Sequence, residues 1–183
     1  ANGVAGSAFL ATHAAAATAA LVWMGVEWMH RGKPTVLGIA SGAVAGLATV
    51  TPGAGFVGPL SAIVIGGFAG ILCYFAVVWK GRMGYDDSLD VVGIHGVGGV
   101  FGILATGLVA SKAINAAGAD GLFFGNAGQF GIQAIMVCAV ALFSVVGTWI
   151  ILKMVDAVVG LRVSPEDEST GLDLSQHNER AYS

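Results

Sequence analysis

Five runs of mostly apolar residues, each close to or beyond the length of a membrane-crossing helix, leave this chain few ways to fold. They extend over about 4–29, 35–57, 60–79, 91–110 and 129–159. A helix crossing the hydrocarbon core needs about 20 consecutive apolar residues, because backbone polar groups there must satisfy one another without water. The expected fold is an all-α integral membrane protein, with a bundle of five transmembrane helices over 1–160 and a polar tail over 161–183. Charged residues make up only 10% of the chain, against about 25% in soluble globular domains, so the lipid bilayer is the expected environment.

Short polar connections separate the runs. Residues 30–34 and 80–90 carry charge, Gly58 and Pro59 mark a tight uncharged turn, and 111–128 is the longest loop. Pro52 and Gly53 fall inside the second run near its end, where a helix kinks or breaks. Glycines recur every fourth residue at 38, 42 and 46, at 66 and 70, and at 98 and 102. Such ridges let helix backbones approach closely, so a compact bundle is expected rather than independent anchors.

With five spans, the connections at 30–34 and 80–90 share a side with the tail. That side carries Arg31, Lys33, Lys80, Arg82, Lys153, Arg162 and Arg180, and the other carries only Lys112. Lys and Arg are retained on the cytoplasmic side, so the carboxyl-terminal tail is expected in the cytoplasm of a multi-pass cell-membrane protein. The opening residues have no charged n-region, and the chain reads as a fragment with helices missing upstream.

Several function classes find no support. Cys73 and Cys138 lie in apolar runs without a CxxC pair or a neighbouring His, so they read as small core residues, and no metal site or cofactor is expected. A net charge of −3 and the lack of a basic run argue against nucleic acid. No Ser-Lys pair, paired aspartates or HExxH pattern supports an intramembrane enzyme.

The fourth run holds the most informative group, DVVGIHGVGG over 90–99. His95 lies about 7 Å beyond Asp90 at 1.5 Å per residue, inside the hydrocarbon. An ionisable side chain there faces a bundle interior or a watery path, and neutral imidazole can donate from one nitrogen and accept at the other. Asp90 is five residues from His95, off its helical stripe, and reads as a helix cap or an anchor, with Asp86, Asp87 and Ser88 offering further capping oxygens. His13, mid-way along the first run, also needs a polar partner or cavity, and an interhelical hydrogen bond is its simplest reading. Lys153 and Asp156 sit near the end of the fifth run and read as interfacial. In the tail, Ser164 followed by Pro165, Glu166 and Asp167 has the form of a helix start that Gly171 would end.

Three strings taken together resemble the ammonium transporter (Amt/Mep/Rh) family, Amt branch. They are GKPTVLGIASGAVAGLATVTPGAGFVGP, DDSLDVVGIHGVGG and VGLRVSPEDESTGLDLSQHNERAY, in family order and spacing. The resemblance implies the carboxy-terminal half of an eleven-helix protomer, its seventh to eleventh helices, in a homotrimer whose protomers each hold a narrow pore. It further implies that ammonium or ammonia is the substrate, that His95 is the second of a pair of pore histidines, and that Val91 lines the pore just below it. Ammonium would be recruited outside, deprotonated and moved past the histidines. The first histidine, the external aromatic gate and the recruiting acid would lie in earlier helices, so this chain alone would supply only part of the pore. The tail, with Gly171, Leu172, Asp173 and Tyr182, would touch a neighbouring protomer and regulate it, and a PII-type signalling protein is an implied partner at the cytoplasmic face. The alternative reading is the ammonium-sensing membrane domain of a signalling protein.

The charge bias makes a direct prediction. Cysteines introduced at Ser111 and Asn126 should react with an impermeant thiol reagent from outside the cell, and cysteines at Gly32 and Ser175 only from the cytoplasm. Labelling of position 126 from the cytoplasm alone would contradict this orientation.

Overall fold

The structure is a computed structural model that describes residues 2–180. Its regular elements are helical: α1 (Gly3–Arg31), α2 (Val36–Val50), α3 (Pro59–Met83), a π-helical turn (Val92–Gly96) leading into α4 (Val97–Val109), a single 3-10 turn (Leu122–Phe124), α5 (Ala127–Val159), α6 (Pro165–Thr170) and α7 (Leu172–Ser175). Asn2 caps α1 by accepting from the Ala5 amide, and Gly32 closes it with a left-handed φ of 79°.

Among the described residues four helical stretches are long and apolar enough to cross a membrane, not the expected five: Gly3–Arg31, Pro59–Met83, Val92–Val109 and Ala127–Val159. The correction concerns the second apolar run. Its helix α2 has 15 residues, which at 1.5 Å each is about 22 Å, short of a hydrocarbon core of about 30 Å. Pro52 has no amide to continue the ladder, and the chain turns repeatedly over 51–57. There Gly53 donates to the Val50 carbonyl at 2.9 Å, and Phe56 and Val57 both donate to Gly53 at 2.7 and 3.0 Å.

The chain divides into two compact units, the first ending at Cys138. Within it α1 is the platform. Ala11, Ala15 and Ala19 are fully buried, and glycines of both α2 and α3 lie against this alanine stripe. A Cβ placed on Gly46 would stand 2.5 Å from the Ala15 carbonyl oxygen and one on Gly70 2.8 Å from that of Ala19. Along α2, Gly38, Gly42 and Gly46 face Glu27, Trp23 and Ala15 in turn, so α2 runs antiparallel to α1, whereas Gly66 and Gly70 face Ala15 and Ala19, so α3 runs parallel to it. Gly55 lies beside Val4, so α2 together with its turns returns the chain between the parallel helices. Next α4 packs through Gly98 against Thr49, and Gly107 faces Phe130 and Gln133 at the start of α5.

The second unit runs from Ala139 onward. Its part of α5 exposes Phe143, Trp149 and Ile151 at 79, 61 and 61%, an all-round apolar surface suited to lipid or to further helices. Ser164 starts α6: its Oγ accepts from the Asp167 amide at 3.1 Å, with Pro165 in the first turn. Gly171 donates to the Asp167 carbonyl at 3.0 Å and joins α6 to α7 with φ 97°. The Ser175 hydroxyl donates back to the Gly171 carbonyl at 3.0 Å.

Candidate functional site

The loop 84–90 must deliver the chain from α3 into the fourth span, and two carboxylates and a lysine hold it there. Asp87 caps the span, its two carboxylate oxygens accepting from the Val91 and Val92 amides at 2.8 and 2.9 Å. Asp90 instead pairs through its carboxylate with the Lys80 ammonium, which also donates to the Asp87 carbonyl at 2.6 Å. Asp90 has a φ of 57°, a left-handed conformation that Asp tolerates better than most residues. Of the two roles expected of Asp90, the structure shows the anchor, through Lys80, and the side chain of Asp87, three residues earlier, does the capping.

Beyond this cap the helix opens into the π-turn, in which the Val97 amide reaches the Val92 carbonyl five residues back. π-turns recur at functional sites because the extra residue re-aims the side chains that follow. Gly93 and Ile94 are buried against α3, whereas Val91, Val92, His95 and Gly96 are exposed. His95 has no hydrogen-bond partner among the described residues. His95 and Val91 are thus both exposed, while Asp90 is tied to α3 through Lys80. His13 is exposed on α1, its ring stacked on that of Phe9 with centroids 6.2 Å apart. Gly171, Leu172 and Asp173 belong to the second unit, and Tyr182 lies outside the described residues. Among these residues no group of His, Cys, Asp and Glu is arranged to hold a metal ion.

Other polar residues within the first unit are not singled out by the sequence reading. Glu27 is only 3% exposed, and its carboxylate accepts from the Thr35 amide and hydroxyl, both at 3.1 Å. Thr35 Oγ1 in turn accepts from the Gly38 amide at 2.9 Å, so Glu27 reaches through Thr35 to the first turn of α2. The buried Tyr74 hydroxyl is bonded to His30 Nδ1 at 2.7 Å, and the edge of its ring meets Trp23 at 5.4 Å. A cleft of about 120 Å³ is lined by Glu27, Thr35, Ser41, Tyr74 and Asp90 among others. The signal that marks His95, an ionisable group inside an apolar run, was equally present at Glu27.

The sequence profile of the Ammonium Transporter Family matches residues 1–182. The chain is 47% identical over 182 residues to an ammonium transporter of Bacillus subtilis (strain 168), covering 99% of this chain and 45% of that protein. It is 49% identical to the ammonium transporter Amt1 of Archaeoglobus fulgidus, covering 100% of this chain and 46% of that protein. Among solved structures it matches Mep2 of Saccharomyces cerevisiae with a TM-score of 0.83 at 36% identity, over 89% of this chain and 38% of that one. A structure described as a sensor Amt protein matches with a TM-score of 0.81 at 29% identity, over 94% and 42%. The chain spans less than half the length of these relatives.

The Glu27 clasp gives a stability prediction. Glu27→Ala leaves the Thr35 amide without its acceptor and should cost about 1–3 kcal/mol, whereas Glu27→Gln, which keeps an acceptor oxygen, should cost less. Thermal unfolding of the detergent-solubilised protein measures both, and equal midpoints for Glu27→Ala and the parent protein would contradict the clasp.

Proposed function

The chain belongs to the ammonium transporter family, and on that premise we propose that it builds part of a path by which ammonium or ammonia crosses the membrane. Members of this family are transport proteins rather than enzymes, and the chain is a multi-pass membrane protein. The observation that carries the proposal is His95: an exposed imidazole within an apolar span, turned outward by a π-turn, with no partner of its own in the described residues. A polar side chain left open at membrane depth is costly unless it meets another helix, water or a substrate. Neutral imidazole can accept from a dehydrated ammonia or ammonium and donate on its other side, replacing lost hydration. Val91, also exposed, would narrow the path without offering a competing polar group.

In this reading the chain is the carboxy-terminal part of a protomer whose remaining helices face His95 and complete the path, and three protomers assemble as a homotrimer. The polar carboxyl-terminal tail would face the cytoplasm. The tail would dock on a neighbouring protomer through the turn formed by Gly171, Leu172 and Asp173, with Tyr182 near its tip, and control transport. A PII-type protein is the candidate partner on that face. The likeness to a sensor Amt protein favours a second reading, an ammonium-sensing membrane domain, which would bind ammonium without sustaining a current.

Two measurements test this. His95→Leu keeps roughly the side-chain size while removing both nitrogens. In the reconstituted transporter that contains this chain, it should abolish or greatly reduce ammonium-evoked current with trimer assembly intact. Normal current at normal abundance would contradict the pore assignment, and absence of current from the parent protein would favour the sensor. In the tail, a Cβ on Gly171 would stand 2.7 Å from Asp173 Oδ1, at a φ of 97° that disfavours any side chain. Gly171→Asp adds charge repulsion to that strain and should impair transport in cells. Normal ammonium uptake by trimers carrying it would make a controlling role for this turn untenable.

A further inference from the structure

The π-turn rests on one face of α3. Cys73 and Val77 are four residues apart and so share that face. Cys73 is fully buried, and its thiol donates to the Ile94 carbonyl inside the turn at 3.8 Å. Gly93 lies so close to Val77 that an added Cβ would stand 2.9 Å from Val77 Cγ2 and 3.3 Å from its amide nitrogen. Behind them lies Thr49, also fully buried. A Cβ on Gly98 would meet both Thr49 Oγ1 and Cys73 Sγ, at 2.7 and 3.3 Å. Residues 93, 94 and 98 are thereby held inward while 95 and 96 face out.

Where a π-turn sits decides what it presents. It carries one residue more than an α-turn, so closing it into plain α-helix would rotate one side of the turn by about 100° relative to the other. The segment has that alternative within reach, and nothing in its own short sequence forbids it. Selection between the two must come from what lies against the turn.

We propose that the Cys73–Val77 face of α3 is the seat that fixes the π-turn and thereby aims His95, making Cys73 and Val77 positioning residues for transport. This rests on the reading of His95 as a residue of the path. A seat that sets the direction of the imidazole sets the width and polarity of the constriction, so disturbing it should alter discrimination between ammonium and the larger methylammonium. A loss of folded protein alone would lower both currents together and leave their ratio unchanged.

The test uses the reconstituted transporter that contains this chain. Gly93→Ala, which presses against Val77, should change the ammonium to methylammonium current ratio several-fold. Adding Val77→Ala removes the obstructing Cγ2 and should bring the ratio back toward that of the parent. Cys73→Ala should shift the ratio in the same direction by a smaller factor. Ile65→Val, a small loss of volume in the separate apolar cluster that Ile65 forms with Ala11, Ala15, Val50 and Ala105, should leave it unchanged. A parental ratio in both Cys73→Ala and Gly93→Ala would overturn the proposal, as would a Gly93→Ala defect that Val77→Ala does not relieve. If Gly93→Ala does not assemble, Cys73→Ala decides alone. Insensitivity of the ratio in these variants, with current still lost in His95→Leu, removes the seat and leaves the path reading standing; normal current in His95→Leu removes that reading itself.

Discussion

The contact on which the rest of the first unit depends is the alanine stripe of α1 meeting the glycines of α2 and α3. In hydrocarbon there is little hydrophobic force to drive one apolar helix onto another, so association relies on backbone proximity and dispersion over a close, complementary surface. Ala11, Ala15 and Ala19 present such a surface and are fully buried. Because Gly46 and Gly66 both converge on Ala15, α2 and α3 are placed relative to α1 and hence to each other. The face that α2 and α3 then share receives α4 through Thr49, Cys73 and Gly98. A larger side chain on the stripe would displace both neighbouring helices and, through them, the π-turn.

On this apolar scaffold, polar groups are few and mostly occupied. Glu27 spans the α1–α2 connection through Thr35, Lys80 ties the loop after α3 to Asp90, and Asp87 satisfies amides at the start of the π-turn. These groups are concentrated where α1 ends, α2 begins, α3 ends and the fourth span begins. They fix the ends of the helices, while the interior between them is left to small residues. Against that background an imidazole with no hydrogen-bond partner among the described residues is conspicuous, and that contrast is what supports the functional reading proposed for His95.

Much of this was legible in the sequence because it depends on local or composition-wide properties. The length and apolarity of the runs beginning near residues 4, 60, 91 and 129 announce helices able to cross a bilayer, and Ser164 with Pro165 announces the start of α6. The second run illustrates a limit of hydropathy alone: its apolar composition continues to Val57, but the helix ends at Val50, at the break that Pro52 and Gly53 mark in the sequence. The π-turn was illegible for another reason, since one extra residue in a turn has no composition of its own and depends on the α3 face beneath it. The acidic cluster before the fourth span marks a cap in the sequence, but only the backbone shows that Asp87 takes the amides while Asp90 pairs with Lys80. Glu27 was missed although its chemistry was in plain view, because it stood near the end of its run and its partner Thr35 lay across a turn.

On the reading proposed for this chain, packing against α2 and α3 turns His95 outward into a protein-lined passage. Cryo-electron microscopy of the transporter containing this chain, in lipid nanodiscs with ammonium present, tests it most directly. The account predicts that the π-turn at Val92–Gly96 persists and that the His95 imidazole lines a continuous narrow passage enclosed by protein, within hydrogen-bonding distance of a polar group or density inside it. An imidazole lying against lipid, or sealed in a closed apolar interface with no passage beside it, would contradict the account.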